Sequence, residues 1–226
     1  MATVLVIGAS RGIGLELVRQ YREAGDRVIA TARDDAGLAR LQDLGAQALR
    51  VDVAQPASVS GLSWQLDGEK LDVALYAAGA TDRARATTPP TQQAFDRLMH
   101  TNVLGLMQVI PQVLPMVEEA GGVFGALSCH LGQIGGVSGS DAWLYRVSKA
   151  ALNMAIASAR FDYPRARLVA LNPGQVETEQ SVSRGAESAP VALADRVTGL
   201  RAALASLRPD DNGRLIHFDG LRASHW

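Results

Sequence analysis

Tyr145 and Lys149 stand four residues apart in a stretch of helical period, so a phenol and an ammonium project from one helical face. Such a pair can move a proton. A free phenol titrates near ~10, too high for acid–base work at neutral pH, but a neighbouring cation stabilises the phenolate. At about 1.4 kcal/mol per unit, bringing Tyr145 near neutrality takes roughly 4 kcal/mol, within reach of a partly desolvated charge pair. Tyr-x-x-x-Lys is common by chance on amphipathic helices, so its meaning depends on what surrounds it.

The second group with chemical content is Gly8-Ala9-Ser10-Arg11-Gly12-Ile13-Gly14, placed between an apolar run and an amphipathic segment. Glycines let a backbone turn tightly and approach a pyrophosphate, and the following helix offers unpaired N–H groups at its positive end. A lone glycine-rich turn is weak, but this one has the strand-before, helix-after context that dinucleotide binding requires. Cys129 beside His130 suggests a nucleophile–base pair. Adjacent residues at a strand end usually diverge, so the two are expected to point apart. His100, His217 and His225 lack ligand spacing, and one cysteine cannot build a thiolate cluster, so no metal site is expected.

These residues need elements to hold them. Short apolar runs rich in Val, Leu and Ile predict strands at 3–7, 27–31, 48–51, 73–77, 123–127, 167–171 and 214–218. Helical period lies between them. One helix is expected over 14–24, stopped by Gly25; Thr91 caps a long one carrying Phe95, Leu98, Met99, Val103 and Leu106; a third spans 141–163 and ends before Pro164. Strand–helix alternation predicts an α/β fold, a parallel sheet with helices on both faces. The Glu-, Ser- and Gly-rich stretch 177–189 reads either as a lid or as a solvated loop.

The chain has 226 residues, 47% of them apolar and 20% charged, with a net charge of −1, so it reads as one domain of globular composition. That balance gives no surface for nucleic acid or an anionic membrane. The first apolar run is too short for a membrane span and lacks a basic leader, which makes the cytoplasm the expected compartment.

The glycine spacing Gly-x-x-x-Gly-x-Gly resembles the short-chain dehydrogenase/reductase family, and the likeness then runs through nearly the whole chain. Asp52-Val53 follows the third strand where the family's Asp meets adenine. Ala77-Ala78-Gly79 occupies the place of Asn-Ala-Gly, and Asn102 sits where the family has a helical Asn. Tyr145 and Lys149 match Tyr-x-x-x-Lys, and Pro173-Gly174-Gln175-Val176-Glu177-Thr178 matches Pro-Gly-x-Val-x-Thr. The resemblance implies one Rossmann-type doubly wound domain over residues 1–226, with seven parallel strands in the order 3-2-1-4-5-6-7. Its cofactor half would cover about residues 1–120 and its catalytic half about 121–226. It also implies that Lys149 holds the nicotinamide ribose and that Asn102 completes a proton path to Tyr145.

After the second strand, where an NAD enzyme places an acid, the chain reads Ala32-Arg33. Arg33, with Arg11 as a second cation, suits a 2′-phosphate and hence NADP(H), although Asp34 and Asp35 stand ready to pair with Arg33. The family orients its carbonyl with a serine; counting from Gly132 puts Cys129 there, and a shift of one residue puts Ser128. A thiol is the weaker donor. Ala77 lacks the side chain that tethers neighbouring strands in relatives, which puts local stability in doubt. The long stretch between Cys129 and Tyr145 and the C-terminal run resemble the C-factor and Sniffer-like carbonyl reductases. The implied activity is NADPH-dependent reduction of a small or medium aldehyde or ketone, by a chain that pairs as a homodimer through the helices of Asn102 and Tyr145. Val182, Val191, Leu193, Trp143 and Leu144 are the apolar candidates for contact with that substrate. An NADPH-binding regulatory protein with decayed catalysis is the alternative that Cys129 keeps open; a methyltransferase on a similar sheet fits Arg33 and the Tyr145–Lys149 pair poorly.

Overall fold

A computed structural model describes residues 1–174 and 192–223. Its seven strands are β1 (Thr3–Ile7), β2 (Arg27–Ala32), β3 (Gln47–Arg50), β4 (Val73–Tyr76), β5 (Val123–Leu127), β6 (Arg167–Asn172) and β7 (Leu215–His217). All pair in parallel, in the order β3-β2-β1-β4-β5-β6-β7. This is the doubly wound order that the resemblance implies.

The helices are α1 (Gly12–Glu23), α2 (Asp35–Asp43), α3 (Pro56–Val59), α4 (Leu62–Gln65), α5 (Gln92–Met99), α6 (Gly105–Ala120), α7 (Trp143–Ala159) and α8 (Leu193–Ala205). Side chains alternate across each strand, so the sheet feeds two cores. Leu5 and Ile7 of β1 face one way, packed under Leu106, Val109 and Val113 of α6 and Leu152 and Ile156 of α7. Val4 and Val6 face the other, against Leu17 and Val18 of α1 and Leu200 and Leu204 of α8. Register is fixed by this two-sided burial, because a slip of one residue would exchange the faces.

The predicted long helix after Thr91 is two helices joined by a π-helical turn. Thr91 does cap α5, its hydroxyl accepting from Ala94 N at 3.1 Å. The chain then passes through the π turn His100–Leu104 before α6 begins. One wider turn shifts the phase between α5 and α6, on either side of which Leu98 and Leu106 are both buried. The helix predicted over 141–163 is shorter at both ends. It starts after Ala142, which holds the left-handed conformation at φ 52°, and its entry is tied by Arg146, which pairs with Asp141 Oδ1 at 2.8 Å. Among the described residues, no helix is long and apolar enough to cross a membrane.

The missing tether at Ala77 is offset one residue earlier. Tyr76 is fully buried, and its hydroxyl donates to the Thr101 carbonyl at 2.6 Å, joining the end of β4 to the π turn. Burial, helped by the charge of Asp52, pushes that phenol's pKa upward and keeps it a donor. Tyr76→Phe should cost about 1 kcal/mol, the net worth of one hydrogen bond, measurable as a lower denaturant midpoint at an unchanged m-value.

Candidate active site

The chain leaves β1 through Gly8, at φ 80°. A Cβ there would lie 2.6 Å from the backbone of Ala78, so only glycine lets the turn close on the segment after β4. Gly8 N donates to Thr31 Oγ1 at 3.0 Å, and Ala9 N to Thr31 O at 2.8 Å, which fixes the turn against β2. The helix that follows begins at Gly12 and Ile13, with Gly14 packed over the Gly8 carbonyl. Its N-cap residue, Arg11, makes no side-chain cap to the helix, and the first turn carries no acid. Unpaired N–H groups at a positive helix end are the donor set an anionic pyrophosphate needs, so these residues fit a dinucleotide.

Beside this turn lies a notch at the end of β2. A Cβ on Gly37 would be 2.8 Å from the Cβ atoms of both Ser10 and Ala32, so the three residues share one wall. Arg33 stands at its edge, its side chain 70% exposed and 3.9 Å from Asp34. Of the two acids expected to compete for it, Asp34 does pair with it through Oδ2 while its Oδ1 caps α2 by accepting from Gly37 N at 2.8 Å, and Asp35 pairs instead with Arg50. Arg40, not singled out from the sequence, donates to Ser10 O at 3.0 Å and brings a further cation to the turn. Its signal was its place on α2, one helical turn past Gly37. Asp52 lies on the turn after β3, where its carboxylate accepts from Ala54 N, and Val53 is buried in the core under α6.

The second cluster surrounds Lys149. The residue is 3% exposed, and its ammonium donates to the Leu127 carbonyl at 2.7 Å and lies 5.6 Å from the centre of the Tyr145 ring. Burial pulls its pKa down to about 8, partly opposed by the Cys129 sulfur. Asn102, on the π turn, is fully buried and meets backbone rather than solvent. It accepts from Ala80 N at 2.8 Å and donates to Ala80 O and to Ser148 Oγ, both at 2.9 Å. Ser148 in turn donates to Tyr145 O at 2.8 Å. A Cβ placed on Gly79 would lie 3.6 Å from Asn102 Oδ1 and 3.8 Å from Lys149 Nζ, so the three residues meet at one point.

Ser128 and Cys129 separate at the end of β5. Ser128 Oγ is buried and donates to Asn153 Oδ1 at 2.6 Å, which commits it to α7. Cys129 packs instead with Tyr145, Ala142 and Leu144. Its sulfur also lies 3.6 Å from His130 Nδ1, so the expectation that these neighbours diverge is corrected. The reason is local: the strand ends, and a 3-10 turn begins at His130, which abolishes the alternation. Pro173 is buried at the end of β6, and Gly174 N donates to Asn172 Oδ1 at 3.1 Å. Val176 and Thr178, like Val182, Val191 and the stretch 177–189, lie outside the described residues. Trp143 and Leu144 open α7, while Leu193 packs into the α1–α8 core rather than near Tyr145.

All of these groups gather at the C-terminal ends of parallel strands, the edge where ligands bind in doubly wound sheets. A family model for short chain dehydrogenase matches residues 2–189. The chain belongs to the short-chain dehydrogenase/reductase family. A 1-hydroxy-2-glutathionyl-2-methyl-3-butene dehydrogenase from Rhodococcus sp. (strain AD45) is 30% identical over 97% of this chain and 98% of its own length. Among solved structures, an NADPH-bound carbonyl reductase from chicken fatty liver superposes with a TM-score of 0.89 at 26% identity, covering 100% of this chain and 99% of that one. The carbonyl reductase Sniffer of D. melanogaster gives 0.88 at 25% identity, with both chains fully covered. The protein is thus an oxidoreductase by family, with carbonyl reductases among its structural neighbours.

A buried ammonium whose pKa is lowered destabilises the fold wherever it must stay charged. The unfolded chain binds the proton more tightly, so stability contributed here is missing below pH 8 and recovered as pH rises towards the unfolded lysine value near ~10.4. Lys149→Met removes this dependence. Between pH 7 and pH 10, the wild-type stability should gain roughly 2 kcal/mol relative to the variant, read from denaturant unfolding of both at the two pH values.

Proposed function

We propose that the protein reduces a small or medium aldehyde or ketone with NADPH, Tyr145 giving the proton to the carbonyl oxygen. The observation that carries this is the desolvated Lys149 ammonium lying 5.6 Å from the Tyr145 ring, at the strand edge beside an uncapped helix terminus. NADP(H), when bound, supplies the hydride. Arg33 at the β2 edge, helped by Arg11 and Arg40, holds the 2′-phosphate by charge-assisted hydrogen bonds. Gly8, Ser10, Gly12, Ile13 and Gly14 cradle the pyrophosphate, Asp52 and Val53 flank the adenine, and Ala77, Ala78 and Gly79 line the floor. Pro173 and Gly174 border the nicotinamide.

At the reacting end, Lys149 favours the phenolate that Tyr145 becomes on giving up its proton. Asn102 fixes the backbone of Ala80 and, through Ser148, the backbone of Tyr145 itself, so proton donor and wall are held as one unit. Cys129 takes the carbonyl-orienting place, because Ser128 already spends its hydroxyl on Asn153. The apolar surroundings of Tyr145, Leu98, Leu131 and Leu144 among them, suit a carbonyl compound with a hydrophobic body. We further infer a single domain, its cofactor half near residues 1–120 and its catalytic half near 121–226. Homodimer pairing is supported by exposed Leu104 and Met107 on one helix pair and Val147 and Met154 on α7.

The thiol at Cys129 also favours a second reading, an NADPH-binding regulatory protein with weak catalysis, since a thiol polarises a carbonyl poorly. NADPH absorbance followed with a panel of aldehydes, ketones and diketones separates the two. Tyr145→Phe should lower turnover by at least 100-fold while NADPH still binds; binding without turnover by the wild type across the panel selects the regulatory reading. Arg33→Ala should weaken NADPH by roughly 10-fold or more and leave NADH unchanged in a binding titration. Equal losses for both cofactors would remove the 2′-phosphate assignment.

A further inference from the structure

The turn His130–Gly132 is clamped to the catalytic helix. A Cβ on Gly132 would fall 2.8 Å from the Lys149 carbonyl carbon and 2.9 Å from its Cβ, so this position admits no side chain. Asn153 locks the clamp from the same helix: it donates to Gly132 O at 3.3 Å and accepts from Ser128 Oγ at 2.6 Å. The backbone is closed by Gly132 N on Cys129 O and Gln133 N on His130 O, both at 3.0 Å. With the chain fixed before and after, Cys129 and His130 have little freedom to part. Their side chains stay in contact, the sulfur on the Tyr145 side and the imidazole exposed.

We propose that His130 is a positioning residue for carbonyl reduction, holding the Cys129 sulfur as one half of a thiol–imidazole pair, so that the carbonyl-orienting donor is present only while the sulfur keeps its proton. This rests on the reductase reading of the site. The groups facing the sulfur are His130 and the Leu131 backbone N–H on its own turn, and Lys149 and Tyr145 on α7; α5 contributes the apolar Ala94 and Leu98. Burial works against a thiolate here, but the His130 contact, the Leu131 backbone N–H and the Lys149 charge together outweigh it, so the thiol titrates below its ordinary range. In the ionising step the S–H proton passes to the ring nitrogen of His130, leaving a thiolate and an imidazolium, with no other bond changed. A thiol donates to a carbonyl oxygen; a thiolate only accepts, and repels the alkoxide that forms during reduction.

Cys129 is the one cysteine of the chain, so alkylation of the whole protein by iodoacetamide reports this sulfur alone. The rate, measured against pH for wild type, His130→Ala and His130→Asn, should have its midpoint at least one pH unit lower in the wild type than in either variant. Because His130 is exposed, both variants retain the fold, which circular dichroism checks. Reductive turnover with NADPH should show a falling limb at the alkylation midpoint in the wild type, moved to higher pH by the same interval in both variants and absent in Cys129→Ser. The loss due to Lys149 remains in all four proteins and lies at lower pH in Cys129→Ser, where the sulfur no longer holds that ammonium's pKa up. Coincident alkylation profiles with normal turnover would overturn the pair and leave the reductase reading intact. Shifted profiles without turnover on any carbonyl would remove the reductase reading, and the positioning role with it.

Discussion

The site depends on an ammonium kept almost out of water. Lys149 is buried against the Leu127 carbonyl, and a charge desolvated in this way acts on its neighbours far more strongly than one in solvent. Every close approach around it serves that burial. Gly132 lets the turn after β5 press on the lysine backbone, Gly79 lets the segment after β4 come near its tip, and Asn102 holds that segment by both of its backbone bonds to Ala80. The same desolvation works against the fold at neutral pH, and the two hydrophobic cores offset it. A substitution that rehydrated Lys149 would therefore relax the protein and weaken its hold on the phenol together.

Much of this was legible before any coordinates. The strands were readable because a parallel sheet covered on both faces demands continuous apolar runs, and β1 and β5 fall where the runs do. The glycine turn was readable because its spacing carries a geometric demand, realised at Gly8 against Ala78. Tyr145 and Lys149 were readable because helical spacing alone places them on one face. Less visible were contacts between residues distant in the chain. Arg40 reaches Ser10, Asn153 joins Ser128 to Gly132, and Tyr76 reaches Thr101; none has a local pattern that betrays its partner.

Two of the departures share a cause. The long helix after Thr91 and the divergence of Cys129 from His130 both assumed that a regular period continues. A π turn interrupts one and a 3-10 turn the other. Both interruptions fall where side chains are aimed into the site, Asn102 in one case and Cys129 in the other. Local departures from regular geometry are tolerated there because the surrounding packing determines them, through the Asn102 bonds and the Gly132 clamp.

The strand order carries a consequence for how the chain reaches this state. β1, the first strand made, lies near the middle of the sheet, between β2 and β4. Once β2 has docked during synthesis, the opposite edge of β1 stays bare until the chain has grown past residue 76. The turn at Gly8 closes on Ala78 and so forms no earlier than that edge is covered. Assembly of the nucleotide cradle thus waits on a long-range pairing, the slow class of folding event.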